Sequence, residues 1–258
     1  MMRPRVIPCL LLRNKGLVKT VKFKDPTYLG DPINVVKIFN DKEVDELVFL
    51  DITATLENRK PRFEYLAEIA SECFMPLGYG GGLRNLDDIR RLFSIGIEKV
   101  AINSYAVENP SFIQEAADLF GSQSIVVSID VKKNWFGKYQ LFTHGGKKAT
   151  GLDPVHFAVQ MADMGAGEIL LNSIDRDGTM KGYDLALIRR VSEAVDIPVV
   201  ACGGAGNIND LADAVKKGKA SAAAAGSMFV FQGRHRAVLI SYPTENELRR
   251  AFGEASPR

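Results

Sequence analysis

Short, near-continuous apolar runs recur along this chain, and between them apolar residues return every three or four positions. The unbroken runs fall at 5–11, 46–51, 76–80, 99–102, 124–131, 168–172, 198–202 and 222–225. Such runs suit strands buried on both faces. Helical periodicity fills 31–39, 61–72, 85–94, 109–119, 153–164, 184–194, 208–217 and 244–252. Asp31-Pro32 reads as an N-cap followed by a proline in the first turn. Residues 13–27 read as a polar, basic loop, and 135–143 as a hairpin leading into Gly145-Gly-Lys-Lys148. Strand–helix units in this number predict a single (β/α)8 TIM barrel over 1–258, with its chemistry at the C-terminal ends of the strands.

The pattern is doubled. Met75-Pro-Leu-Gly-Tyr-Gly-Gly-Gly-Leu-Arg-Asn85 aligns at a constant offset with Ile197-Pro-Val-Val-Ala-Cys-Gly-Gly-Ala-Gly-Asn207, so Gly81 falls on Gly203 and Gly82 on Gly204. Glu46 falls on Glu168, and residues 99–104 on 221–227 with a one-residue slip. Arg5 to Leu11 matches Ser124 to Asp130, which makes Leu11 the mate of Asp130. A period of about 120 residues is too long for a solenoid unit. It predicts two duplicated half-barrels, about 1–120 and 121–258.

Composition narrows the classes. A net charge of +2 over 258 residues gives no reason to expect nucleic acid or a membrane as partner. No apolar run approaches a membrane span and no signal peptide is evident. Cys9, Cys73 and Cys202 form no metal-type pair and read as reduced thiols of a cytoplasmic protein. No cofactor and no metal site are expected.

Candidate chemistry then follows from the strand ends. Glycines where a strand feeds a helix let the backbone approach a ligand, and free helix amides suit phosphate. The two Gly-Gly turns, with Asn103-Ser104 and Gly226-Ser227 after the next strands, predict two phosphate cups across one mouth. A ligand with a phosphate at each end fits that plan. Asp130 ends its strand as a general acid or base, or as a carboxylate capping a loop amide. Lys19 reads equally as a ligand contact or as a solvated lysine. Asp51 also ends a strand, and Asp177, before Gly178, reads as orienting phosphate-binding amides. At the opposite strand ends, Arg5, Glu46, Lys99 and Glu168 read as solvated charges or as a neutral ring closing the barrel floor. His144, His156 and His235 lack ligand spacing.

These blocks resemble the cyclase subunit of imidazole glycerol phosphate synthase, of histidine biosynthesis. The resemblance runs from Arg5 to about Phe231, through Asp45-Glu-Leu-Val-Phe-Leu-Asp-Ile-Thr53, Val107-Glu-Asn-Pro110, Gly165-Ala-Gly-Glu-Ile-Leu-Leu171 and Ser173-Ile-Asp-Arg-Asp-Gly-Thr179. It implies a glutaminase subunit docked at the barrel floor, with Glu98 at that contact, and an ammonia gate of Arg5, Glu46, Lys99 and Glu168. It implies phosphate binding by Gly82, Asn103 and Ser104 in one cup and by Asp177, Gly178, Gly204, Gly226 and Ser227 in the other. Family cyclases carry an aspartate where Leu11 stands, and it works with Asp130 in closing the imidazole ring. Asn172 stands where the family usually has threonine, and Gly78 and Cys202 replace hydroxyl side chains along the channel. Three roles follow from the resemblance. The chain is a cyclase using Asp130, alone or helped by Lys19; a divergent paralogue passing ammonia to a sugar amidotransferase of surface-polysaccharide synthesis; or a phosphate-binding activator of its glutaminase.

Overall fold

The computed structural model describes residues 3–233 and 235–253. Eight strands run parallel around a closed circuit. These are β1 (Arg5–Arg13), β4 (Leu47–Asp51), β5 (Leu77–Gly80), β6 (Lys99–Ile102), β7 (Ile125–Lys133), β10 (Glu168–Ser173), β11 (Val199–Cys202) and β12 (Ala222–Ala225). β12 pairs back onto β1, with Arg5 opposite Ala222 and Pro8 opposite Ala225. The fold is a (β/α)8 TIM barrel. Two antiparallel hairpins extend it beyond the strand ends. β2 (Gly16–Val21) and β3 (Lys24–Gly30) follow β1, while β8 (Tyr139–Thr143) and β9 (Lys148–Ala149) follow β7.

Registers in the two halves agree residue for residue. Leu47 to Leu50 pairs with Leu77 to Gly80 in one half, and Ile169 to Asn172 pairs with Val199 to Cys202 in the other. Leu11 sits opposite Leu50, and Asp130 opposite Asn172. The slip read from the sequence is present: Gly80 meets Ala101, whereas Cys202 meets Ala224.

Helices α1 (Pro32–Asp41), α2 (Phe63–Ser71), α3 (Leu86–Ser94), α4 (Ser104–Glu108), α5 (Ser111–Phe120), α6 (Pro154–Asp163), α7 (Leu185–Ser192), α8 (Ile208–Lys216), α9 (Ser227–Val230) and α10 (Glu245–Phe252) lie between or after the strands. Their starts follow from side-chain caps. Asp31 accepts from the Asn34 amide, Asn85 from Asp88, and Asp153 from Val155 and His156. Asn207 with Asp210 and Thr244 with Glu247 form reciprocal capping boxes. No helix among the described residues is long and apolar enough to cross a membrane.

Two apolar cores result. The larger lies between the strands' outward side chains and the helices, and includes Phe39, Phe49, Tyr79 and Phe229. The smaller fills the barrel interior with Ile7, Cys9, Val48, Ala101, Val126, Leu170, Val200, Cys202, Ala222 and Ala224. The predicted strands at 99–102 and 222–225 match the structure, and most other element ends lie within one or two residues.

One expectation fails. Residues 13–27 are not a loop but largely the β2–β3 hairpin. Its polar look misleads because Lys19 and Thr20 are buried, at 6% and 3% exposure, and turn inward onto Asp177. The four-residue-to-five-residue helices α4 and α9, which follow β6 and β12, are too short to leave a periodic signal.

Candidate functional site

At the floor of the barrel, β1, β6 and β10 begin with a charged residue and Glu46 immediately precedes β4, and the four side chains meet one another. Arg5 donates to both Glu46 and Glu168. Lys99 Nζ lies 2.9 Å from Glu46 Oε2 and 2.9 Å from Glu168 Oε2. Cation and anion thus alternate around a closed ring. Both carboxylates are buried, at 3% and 5% exposure, so these are not solvated strand ends. Glu98 is exposed on the same face, in the turn entering β6.

Directly above the ring is a small cavity of about 20 Å³, lined by Ile7, Val48, Ala101, Val126, Leu170 and Gly78 among others. That is room for about one water-sized molecule. Gly78 helps to make it: a Cβ there would stand 3.1 Å from Val48 Cγ2. The walls from here upward are aliphatic apart from Cys9, Cys202 and Ser128. Hydrogen bonding with Cys9, then burial, raises the Cys202 thiol well above its ordinary range, so it stays a neutral lining group.

The mouth opens at the C-terminal strand ends as a cavity of about 390 Å³, a volume typical of small-molecule sites. It brings together every candidate residue named for this end: Leu11, Lys19, Gly82, Asn103, Ser104, Asp130, Asp177, Gly178, Gly204, Gly226 and Ser227. Around one side sit Gly80 to Gly82 and the start of α4. Gly82 has φ +71°, and a Cβ on it would lie 2.3 Å from the Arg59 carbonyl. Around the other sit Gly178, Gly203 to Gly204 and the start of α9. A Cβ on Gly204, at φ +121°, would lie 2.3 Å from the Gly182 carbonyl. Only glycine fits at either turn.

Several polar side chains have structural work here. Asn103 Nδ2 donates to the Ser128 carbonyl at 2.8 Å, and Ser104 Oγ accepts from the His144 amide at 3.0 Å. Asp51 is committed to Thr53, Ala54 and Arg59. Asp177 takes Lys19 Nζ at 2.6 Å and Thr20 Oγ1 at 3.0 Å, and its carbonyl accepts from the Lys22 amide at 2.9 Å. Its carboxylate therefore ties the β2–β3 hairpin to the mouth rather than ordering glycine amides. Lys19 is buried in that ion pair, which overturns the solvated reading.

Asp130 differs from these. It is 8% exposed, lines the mouth, and its carboxylate has no hydrogen-bond partner among the described residues. It caps no loop amide. Burial first, and the Asp177 charge second, push its carboxyl up to about 7. A buried acid in that range can give or take a proton at neutral pH. Its repeat mate Leu11 lines the same mouth beside Leu50, so this pair of positions is polar in one half of the barrel and aliphatic in the other.

The sequence reading passed over Arg84 and Lys147, which line the mouth, and Arg236, which donates to the Gly178 carbonyl at 3.2 Å and to Ser227 Oγ at 3.5 Å. Lys147 lay in the conspicuous Gly145-Gly-Lys-Lys148 run and Arg84 in the glycine-rich repeat block 75–85; Arg236 sits in a segment with no such mark.

A closed parallel barrel with paired glycine turns and an unpartnered buried acid at its mouth defines a TIM-barrel protein with a cavity of small-molecule size at its C-terminal strand ends. Comparison with known proteins gives the lineage: the chain belongs to the histidine biosynthesis protein family, whose model matches residues 5–236. It is 54% identical over 248 residues to a Pseudomonas aeruginosa protein named "Putative imidazole glycerol phosphate synthase subunit hisF2", covering 96% of this chain and 99% of the relative. A Vibrio vulnificus relative named as subunit hisF3 is 50% identical, with 98% and 97% covered. A Leptospira interrogans relative named as subunit HisF is 46% identical, with 98% and 100% covered.

The Asp130 environment has a measurable consequence. The folded chain holds this proton more tightly than the unfolded chain, so stability falls as pH rises from about 4 to about 7. Asp130→Asn removes that dependence. The variant should gain on the wild type by up to about 1.4 kcal/mol per pH unit across this window, with no further gain above it. Urea unfolding at several pH values reads the difference, and parallel stability profiles would contradict the assignment.

Proposed function

We propose that this barrel receives ammonia from a glutaminase subunit docked at the charged floor and delivers it through the bore to the mouth. The observation that carries this is the ring of Arg5, Glu46, Lys99 and Glu168 beneath a one-molecule cavity and an aliphatic bore. Such a bore passes a small neutral molecule and rejects ions, whose desolvation is costly. The family resemblance gives the same direction of travel, and the relatives are themselves named as synthase subunits. The equal registers of the two halves support reading the chain as one barrel made from two copies of a half-barrel.

At the mouth, the glycine cups hold a ligand carrying a phosphate at each end. Gly82, Asn103 and Ser104 form one cup; Gly178, Gly204, Gly226 and Ser227 form the other, with Asp177 and Lys19 bracing it. Asp130 is the acid–base residue. Leu11 cannot carry a proton, and its neighbour Leu50 offers no substitute. The barrel's main task on this reading is to supply ammonia to a sugar amidotransferase that builds an acetamidino group on a nucleotide-linked N-acetyl sugar. The numbered names hisF2 and hisF3 among the relatives are those expected of additional copies beside a histidine-pathway cyclase.

The intact cups and Asp130 keep a second reading in play, a cyclase that closes the imidazole ring of a bis-phosphorylated ribotide. Losing one acid–base group costs about 10²–10⁴-fold in rate. With ammonium salt supplying the nitrogen, the wild type should cyclise the ribotide negligibly, and Leu11→Asp should gain about 10²-fold or more. Wild-type turnover at an ordinary biosynthetic rate would restore the cyclase reading. Binding checks the cups separately. Gly82→Ala and Gly204→Ala should each weaken inorganic phosphate binding by about tenfold or more, because a Cβ displaces the backbone that cradles the anion. Calorimetry showing unchanged affinity in both variants would remove the cups from the account.

A further inference from the structure

The net charge of +2 conceals a strong separation of charge along the chain. Residues 13–24 hold five Arg and Lys, residues 132–148 hold five Lys, and neither stretch has an Asp or Glu. Ten of the chain's 33 Lys and Arg thus lie where none of its 31 Asp and Glu do, which leaves the remainder acidic. The first stretch runs from the end of β1 to the start of β3, and the second from the end of β7 into β9. Both rise from C-terminal strand ends, and both contribute residues to the mouth. They also meet: a Cβ on Gly146 would lie 2.9 Å from the Phe23 ring. Asp177 takes up Lys19, and Asp184 lies 3.7 Å from Lys133, yet the excess leaves the rim basic. Lys132, Lys133 and Lys138 do not line the cavity, so a ligand bound in it does not account for them.

The turn joining β7 to β8 carries the two most exposed large apolar side chains among the described residues, Trp135 at 99% and Phe136 at 86%. A tied turn holds them there. Asn134 Oδ1 accepts from the Phe136 and Lys138 amides at 2.9 and 3.0 Å, and the Asn134 amide donates to the Lys138 carbonyl at 2.8 Å. The Tyr139 hydroxyl fixes the stem to Asp184 at 2.8 Å. Adjacent aromatics kept in water at the top of a cationic stem have the character of interface anchors, which gain affinity by being covered. The glutaminase of the proposed function docks at the opposite end of the barrel and cannot cover them. Ammonia leaving an open mouth is lost to solvent, so its acceptor has to sit on the mouth.

Building on the ammonia-delivery reading, we propose that this basic rim is the docking surface for the acceptor enzyme, the sugar amidotransferase. Trp135 and Phe136 seat in an apolar socket on that protein, bordered by Asp and Glu that face Lys132, Lys133 and Lys138. Opposite charge steers the two openings together and sets the orientation, while the aromatic pair holds the complex. A lipid surface also suits aromatics beside lysines, but it would press the mouth against a phase that holds no ammonia acceptor.

The test uses the full chain assembled with its glutaminase and measures binding to the purified amidotransferase by calorimetry. Trp135→Ser with Phe136→Ser should weaken that binding about tenfold or more. Lys132→Glu with Lys138→Glu should weaken it too, and wild-type affinity should fall as salt rises. Glutaminase assembly on the floor should be unchanged in both double variants, which shows that the barrel is intact. Absence of wild-type binding, or unchanged affinity in the serine variant, overturns the proposal. So does wild-type binding to phosphatidylglycerol–phosphatidylcholine vesicles that the serine variant loses while its amidotransferase affinity stays the same. Self-association lost in that variant, again with amidotransferase affinity unchanged, assigns the tip to a second copy and overturns it as well. Docking and conduit fail separately. Binding that depends on the tip stands even where glutamine-derived nitrogen mixes with the bath, and retained nitrogen stands even where the tip is irrelevant to binding.

Discussion

Two carboxylates buried at the floor of an apolar barrel are tolerable only if their charges are met, and the rest of this structure is arranged so that they are. Glu46 and Glu168 stand at the starts of strands on opposite sides of the circuit, Glu46 one residue before β4, with Arg5 and Lys99 between them. Removing one member of such a set leaves an uncompensated charge, at a cost of about 3–5 kcal/mol. A plug of aliphatic residues would close the floor with no such exposure to loss. A charged ring instead leaves Arg5 and Lys99 in partial contact with solvent, at 33% and 22% side-chain exposure, as the proposed gate requires.

Above the ring, the barrel carries out two different tasks in one cylinder. Its middle layers are aliphatic and small, with Gly78, Ala101, Ala222 and Ala224 keeping the bore from filling. In its top layer the two halves differ at matched inward positions. The duplicated geometry would place matched groups at Leu11 and Asp130 and at Leu50 and Asn172, yet the side chains differ in kind. The backbone register of the two halves matches while the side chains at these two pairs of positions do not. The folding demands of a closed sheet constrain register and inward volume, and neither depends on whether a mouth residue can carry a proton.

The barrel was legible because both of its demands leave marks in one dimension. Doubly buried strands need unbroken apolar runs, and glycine turns at strand ends are needed twice over, so Gly81-Gly82 and Gly203-Gly204 announced both the repeat and the mouth. What stayed hidden depends on contacts between distant residues. The ligand-contact and solvated readings of Lys19 could not be separated because its partner, Asp177, lies far along the chain. The unpaired state of Asn172 Oδ1 is a property of its surroundings and has no signature in sequence. The floor charges were ambiguous for the same reason: four strand-initial residues read alike whether they face water or one another.

The central claim, passage of ammonia from floor to mouth, is tested most directly by isotope tracing. The barrel would be assembled with its glutaminase and a sugar amidotransferase, and given glutamine labelled with ¹⁵N at the side-chain amide in a bath of excess unlabelled ammonium. Passage through the bore predicts that the new amidino nitrogen keeps the label of the glutamine amide. A product nitrogen enriched only to the level of the mixed bath would mean that ammonia escapes to solvent, and the barrel would not be its conduit.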